Sequence, residues 1–362
     1  MGTFLKKMMM NCDYENMTPL TFTAEAAGST VKLTITGSPT VNGVQYRIGT
    51  SGGWSPYTID TILTLTNVGD CVQFQNTLET LGTGDSNYAS FVMTGKIAAS
   101  GNCMAMLNFS KSVSAFAFHK LFSESHALVS APLLPATILA PNCYSSMFYY
   151  CSKLVNAPEL PATSLAENCY YGMFSGCISL TSAPELPATT LADYCYSSMF
   201  SGCKSLTSAP ELPATILASY CYQYMFYRCT SLINAPILPA TTLDDYCYQY
   251  MFYRCTSLIN APELPATTLA NYCYYYMFEG CSSLINAPEL PATVLADYCY
   301  QYMFNGCTKL NYIKVNFSSW IDNTTNNWVA GVSSTGVFNA PSDLPQTYGT
   351  SNIPTGWTIT NN

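Results

Sequence analysis

Charge is what this chain has least of. Asp, Glu, Lys and Arg make up 9% of its 362 residues, against about 25% in ordinary globular domains. With 49% apolar residues, the low charge excludes a disordered chain, which needs the opposite balance. Thirteen Lys and Arg residues against twenty-one acids give a net charge of −8. No basic stripe exists to neutralise phosphates, so nucleic acid and anionic membranes are excluded as partners. No run approaches the roughly 18 apolar residues of a membrane-spanning helix, so membrane insertion is not expected.

Histidine is nearly absent. His119 and His126 are the whole supply, and both read as packing or exposed residues. No Ser-His-Asp set, phosphate loop or paired-acid constellation has a supporting context. The expectation is a non-enzymatic protein without cofactor or metal. A signal core is missing too. Lys6 and Lys7 precede an apolar run of three, Met8-Met9-Met10, where export signals need about 7–15. With Met1 retained, the segment reads as an N-terminal docking strand. Lys6 stands where myristoylation asks for Ser or Thr.

Cysteine and tyrosine are abundant, at 17 and 28 residues. Cys143, Cys169, Cys195, Cys221, Cys247, Cys273 and Cys299 lie 26 residues apart, and Cys151 to Cys307 form a second series with the same spacing. Seven copies without insertion mean that each stacks on the next in the same way. An eighth, degenerate copy precedes them. Ala117, Phe122, Ser125 and Leu128 fall in register with Cys143, Phe148, Cys151 and Leu154. After Leu310 the run Asn311–Phe317 reads as a final strand leading into a cap.

Within a copy, Leu191, Cys195, Met199 and Cys203 recur every four residues, which reads as the buried stripe of a helix. Gly202 would end that helix. Leu206–Ala209 reads as a short strand curtailed by Pro210. Helices pack about 8–10 Å apart and strands about 4.8 Å apart, so the array should bend with its strands on the concave side. Two cysteines eight residues apart on a helix lie roughly 12 Å from each other, too far for a disulfide. The cysteines therefore read as small apolar core residues. In the first hundred residues, Leu20–Thr23, Val31–Thr36, Val44–Ile48, Thr61–Thr66 and Cys71–Phe74 alternate as strands do, which suggests a β-sandwich.

The octet Met199-Phe200-Ser201-Gly202-Cys203-Lys204-Ser205-Leu206 resembles the Ala-Phe-x-x-Cys-x-x-Leu core of BspA-like leucine-rich repeats, over roughly residues 115–315. The fold class is then an α/β leucine-rich-repeat solenoid with a β-sandwich-like domain at 1–110, the solenoid at 111–315 and a C-terminal cap at 316–362. The resemblance implies adhesion or recognition, since such proteins occur on Bacteroides-type bacteria and in virions of their phages. It supplies no catalytic residues.

The Cys, Met, Phe, Leu and Pro columns are nearly fixed and build the core. The variable columns grow rich in Tyr in the second half of the array. Tyr224, Tyr227, Tyr250, Tyr253, Tyr275, Tyr276 and Tyr302, with Arg228 and Arg254, form the candidate binding surface. Stacking between copies would by itself explain a Tyr column, and both readings stay open. The partner is expected to be another virion protein or a host-surface glycan or protein, with self-association possible. The leading expectation is a phage virion component located in the particle; the alternative is a bacterial cell-surface adhesin. The Glu159, Glu185, Glu211, Glu263 and Glu289 column reads as solvated charge.

Overall fold

The alternating segments of the first hundred residues build two facing sheets. The computed structural model describes residues 17–39, 41–78, 81–110 and 112–361; the expected docking strand around Met8–Met10 lies outside them. Strands β1 (Leu20–Ala24), β2 (Ser29–Thr36), β3 (Val44–Ile48), β4 (Ser55–Pro56), β5 (Leu63–Leu65), β6 (Cys71–Asn76), β7 (Tyr88–Thr94), β8 (Ile97–Ser100) and β9 (Leu128–Ser130) follow in order. Six form one sheet, β4-β3-β6-β1-β8-β9, and three form the other, β5-β2-β7. Phe22 and Phe74 of the first sheet meet Phe91 of the second at 4.7 and 5.1 Å. A short 3₁₀ helix, Cys103–Leu107, is buried beneath them and is the one helix among the described residues.

Strand β9 is shared. It pairs in parallel with β8 and is also the first rung of the repeat array, since Ser130 bridges Asn156 and Asn156 bridges Ser182. A second run of single bridges, rather than strands, goes from Ser208 through Asn234 and Asn260 to Asn286. The proline two residues on in each copy withholds an amide from the ladder. At the far end β10 (Asn286–Leu290), β11 (Tyr312–Val315), β12 (Val337–Ala340) and β13 (Thr358–Asn361) form a parallel sheet in chain order.

The expected helix of each copy does not form, so the α/β class is corrected to a β-solenoid. In its place is a run of tight turns. Cys143, Ser145, Met147, Tyr149 and Cys151 each donate their amide three residues back, at 3.0–3.2 Å. The amides between them donate onward to the next copy: Tyr144 to Cys169, Ser146 to Tyr171, Phe148 to Met173 and Tyr150 to Ser175, at 2.7–3.0 Å. Every fourth residue is left-handed, with φ of 58° at Asn142, 54° at Ser146 and 55° at Tyr150. The same three positions are left-handed in every later copy, and Asn323, Asn327 and Gly331 continue the pattern into the cap.

The misreading has a definite cause. An α-helix turns about 100° per residue, so a step of four residues drifts about 40°. The spacing Leu191, Cys195, Met199, Cys203 never shortens to three. It is the period of a four-residue turn, not of a 3.6-residue helix. Hydrogen bonds join the copies on the turn side as well as the strand side, so the mismatch expected to bend the array does not arise.

Three of the buried columns tie each copy to the next. Phe91 of β7 stacks on Phe122, and the stack runs through Phe148, Phe174, Phe200, Phe226, Phe252, Phe278 and Phe304 at 5.3–5.8 Å. Trp328 closes it in the cap at 6.1 Å. A parallel stack begins at Phe118 and runs from Tyr144 to Tyr300. The third column is sulfur. Cys151, Cys177, Cys203, Cys229, Cys255, Cys281 and Cys307 each donate a thiol hydrogen to the Phe carbonyl of the preceding copy, at 3.0–3.1 Å. Each such Phe carbonyl from Phe148 to Phe278 also accepts the amide of its own copy's Cys. In the degenerate copy Ser125 donates to the Phe91 carbonyl at 2.8 Å. Serine here keeps the donor, so this column is more than small apolar filling. All described cysteines are free, and burial pushes the thiols up, to about 12 at Cys177 and Cys229.

The left-handed column inverts the usual rule for small residues. In a helix Ala is favoured over Gly by about 1 kcal/mol. At Ser198, with φ of 59°, Ser198→Gly will be more stable than Ser198→Ala by about 1 kcal/mol, read as urea midpoints; the opposite order would restore the helix. For the thiol ladder, Cys203→Ala will cost about 1–2 kcal/mol through the lost bond and the void. Cys203→Ser will cost less, as Ser125 implies.

Candidate recognition surface

The nine candidate residues come together on one flank of the turn stack. Tyr224, Tyr250, Tyr276 and Tyr302 all occupy the second left-handed position, with φ of 54–56°. That conformation throws their side chains outward in register. Their rings stack at 4.7, 4.7 and 4.4 Å. Tyr227 stacks on Tyr253 at 4.8 Å. Tyr275 stands edge-on, 4.3 Å from Tyr276 and 5.7 Å from Tyr250. Arg228 and Arg254, exposed at the third left-handed position, lie over Tyr227 and Tyr253 at 5.2 and 5.3 Å, within cation–π range.

Stacking between copies is therefore present, and it changes what the flank offers. A ring between two rings shows its edge and its hydroxyl. In the interior of the stack, both faces of Tyr250 and Tyr276 are covered by neighbours. Each left-handed tyrosine costs about 1–2 kcal/mol of backbone strain. Two stacking contacts of about 0.5–1.5 kcal/mol each, with partial ring burial, offset it.

One ladder escaped the sequence reading. Tyr194, Tyr220, Tyr246, Tyr272 and Tyr298 stack at 4.4–4.5 Å at the first left-handed position. The signal was available: a Tyr stands just before the first Cys in five successive copies. The other candidates behave as read. Glu159, Glu185, Glu211, Glu263 and Glu289 are exposed, and Glu289 pairs with Lys314 at 3.0 Å. His119 is buried between Tyr88 and Phe116, and burial lowers it to about 4.

Glu279 brings an acid into this aromatic flank, at the position that follows Tyr253 in its column. It is half-buried, and its Oε2 is buried without a hydrogen-bond partner. Burial raises its pKa, and Arg254 pulls it partly back. A carboxyl raised in the folded state favours folding while protonated, and that contribution is lost as pH rises through the folded value. Glu279→Gln will therefore raise the melting temperature at pH 7. The gain will shrink toward zero below pH 4, where both side chains are neutral. Melting curves across that range check the sign.

A family profile described as the BspA type leucine rich repeat region matches six copies, over residues 141–284 and 245–345. No curated protein and no solved structure matches the chain. The profile covers more than half of the sequence and coincides with the stacked copies whose Phe, Cys and Leu columns build the core. The chain belongs to the BspA-type leucine-rich-repeat family.

Proposed function

We propose that this chain is a non-enzymatic recognition protein and, more specifically, a phage virion component, fibre-, tail- or capsid-associated. Its N-terminal sheets would hold it on the particle. Its solenoid would contact a neighbouring virion protein or the host surface through the tyrosine flank. The carrying observation is that flank: half-buried tyrosines in continuous register with two exposed arginines, the residue types that dominate binding energy at interfaces.

Sulfur favours the virion over the surface adhesin. Fourteen buried free thiols stand in two columns. Rungs about 4.8 Å apart put same-column Cα atoms within disulfide range, about 4.4–6.8 Å. Such a ladder is safest where thiols stay reduced during folding, as in the cell interior where phage particles assemble. Passage through an oxidising compartment would expose the unfolded thiols to pairing.

Purified particles digested and sequenced by mass spectrometry will contain this chain with free thiols. Particles carrying Arg228→Ala with Arg254→Ala will assemble normally and adsorb at least tenfold less well. Recovery from washed cell envelopes alone, with a lipidated N-terminus, would sink the virion reading and establish the adhesin.

A further inference from the structure

The ladder at the first left-handed position holds its rings in a reactive geometry. Tyr194, Tyr220, Tyr246, Tyr272 and Tyr298 are half-buried, one in each of five successive copies. Neighbouring ring centroids lie 4.4–4.5 Å apart, and the ring planes are within 6–11° of parallel. The p orbitals of an aromatic ring stand perpendicular to its plane. A face-to-face stack therefore aims the orbitals of each ring at the next.

A phenol oxidised by one electron gives up its hydroxyl proton and becomes a phenoxyl radical, with spin on the two carbons ortho to oxygen. When two neighbouring phenols are so oxidised, one ortho carbon of each joins in a new carbon–carbon bond. Each joined carbon then releases its proton to water, and each oxygen takes a proton up and is a hydroxyl again. The product is dityrosine. Two electrons and two protons have left the pair, and hydrogen peroxide acting through a haem peroxidase accepts them, becoming two waters.

The fold supplies what this coupling needs. Residues 26 apart average roughly 30 Å in an unfolded flexible chain, whereas the rungs hold these at about 4.8 Å. Such positioning makes the coupling intramolecular and pre-oriented. Other tyrosine pairs of the chain lack one requirement each. Tyr275 and Tyr276 are closer, at 4.3 Å, but stand at 77°, and Tyr149 and Tyr150 stand at 68°. Their orbitals do not face. The inner stack from Tyr144 to Tyr300 is parallel but buried and wider, at 5.8–5.9 Å. The array's thiols do not compete. Burial pushes them up, to about 12 at Cys195 and Cys247, and the thiolate is the form that oxidants attack.

We propose that the ladder from Tyr194 to Tyr298 is a site of oxidative cross-linking, at which peroxide and a haem peroxidase join adjacent copies through dityrosine bonds. The links would staple the array covalently along one side, in a protein whose buried thiols stay free. Nothing in this depends on which partner the chain recognises. The Tyr224, Tyr250, Tyr276 and Tyr302 stack, parallel to within 9–11°, is expected to react in the same way.

Treating the dilute full chain with hydrogen peroxide and a haem peroxidase, then mapping its peptides by mass spectrometry, tests the proposal. Tyr220 will be found joined to Tyr246 within one chain, as will the other neighbours of the ladder. Tyr275 and Tyr276 will stay unjoined to each other, and the treated chain will melt at a higher temperature than the untreated one. Tyr246→Phe keeps a ring in the stack but has no phenol to oxidise. Before treatment it will melt like the parent; after treatment it will lack the links to Tyr220 and Tyr272 and keep that between Tyr272 and Tyr298. Absence of dityrosine within the chain overturns the proposal, as do links found only between chains. So does an equal yield of the ladder pairs from the urea-unfolded chain, or coupling of Tyr275 to Tyr276 as readily as of Tyr220 to Tyr246, because then the stacked geometry would not be the cause.

Discussion

Everything in the solenoid depends on one arrangement: alternate amides point along the array to the next copy, and a left-handed residue at every fourth position makes that possible. Amides that bonded only within the segment would give a helix. Amides that all bonded across would give a strand. Alternation gives a coil of turns whose every rung is stitched to its neighbours. The left-handed residues carry a strain of about 1–2 kcal/mol each when they are not glycine. Serine, tyrosine and arginine bear it because neighbouring copies hold the backbone on both sides. A single copy could not keep this shape, so the array is cooperative by construction.

The stitching also sets what the ends must be. A rung leaves unmet amides on one side and carbonyls on the other, beside a stack of rings. The N-terminal domain answers with strand β7. Phe91 donates its amide to the Leu121 carbonyl, stacks its ring on Phe122 and lends its own carbonyl to Ser125. It plays the part of a Phe in a copy that does not exist. The cap answers with Trp328, which sits under Phe304, accepts the Phe304 amide and anchors its indole hydrogen on Asn352. The domains flanking the array are shaped by the same columns they terminate.

Much of this was legible in the sequence, and the failures share a cause. The copy number, the core columns and the first strands follow from period and alternation. The rise of each copy did not. Helix and turn stack both bury a residue about every fourth position, and only the unbroken four-residue step of the series Leu191, Cys195, Met199, Cys203 separates them. The cysteines show the same limit: spacing says they are buried, but only the rung geometry reveals that Cys151 to Cys307 donate to a carbonyl. Ser125 was the clue, since a hydroxyl replaces a thiol without cost only where a donor is wanted. The tyrosines were found because they vary. That their rings stack on one another depends on side-chain direction at left-handed positions, which no periodicity records.

The scarcity of charge follows from the repeat itself. A solenoid with unbroken period copies each side chain onto the next rung about 4.8 Å away, and two like charges at that separation cost roughly 1 kcal/mol even in water. A charged column multiplies this penalty. The glutamate column survives because it is exposed, is broken by Ile237 and ends against Lys314. The two arginines rest on tyrosines and are followed by Gly280. Tyrosine has no such penalty, because a ring placed on a ring is attractive. Copying then makes an aromatic flank nearly featureless along its length. Distinct surface arises only where copying stops, and on the tyrosine flank it stops at Ser198 and Ser201 on one side and at Glu279, after Tyr253, on the other.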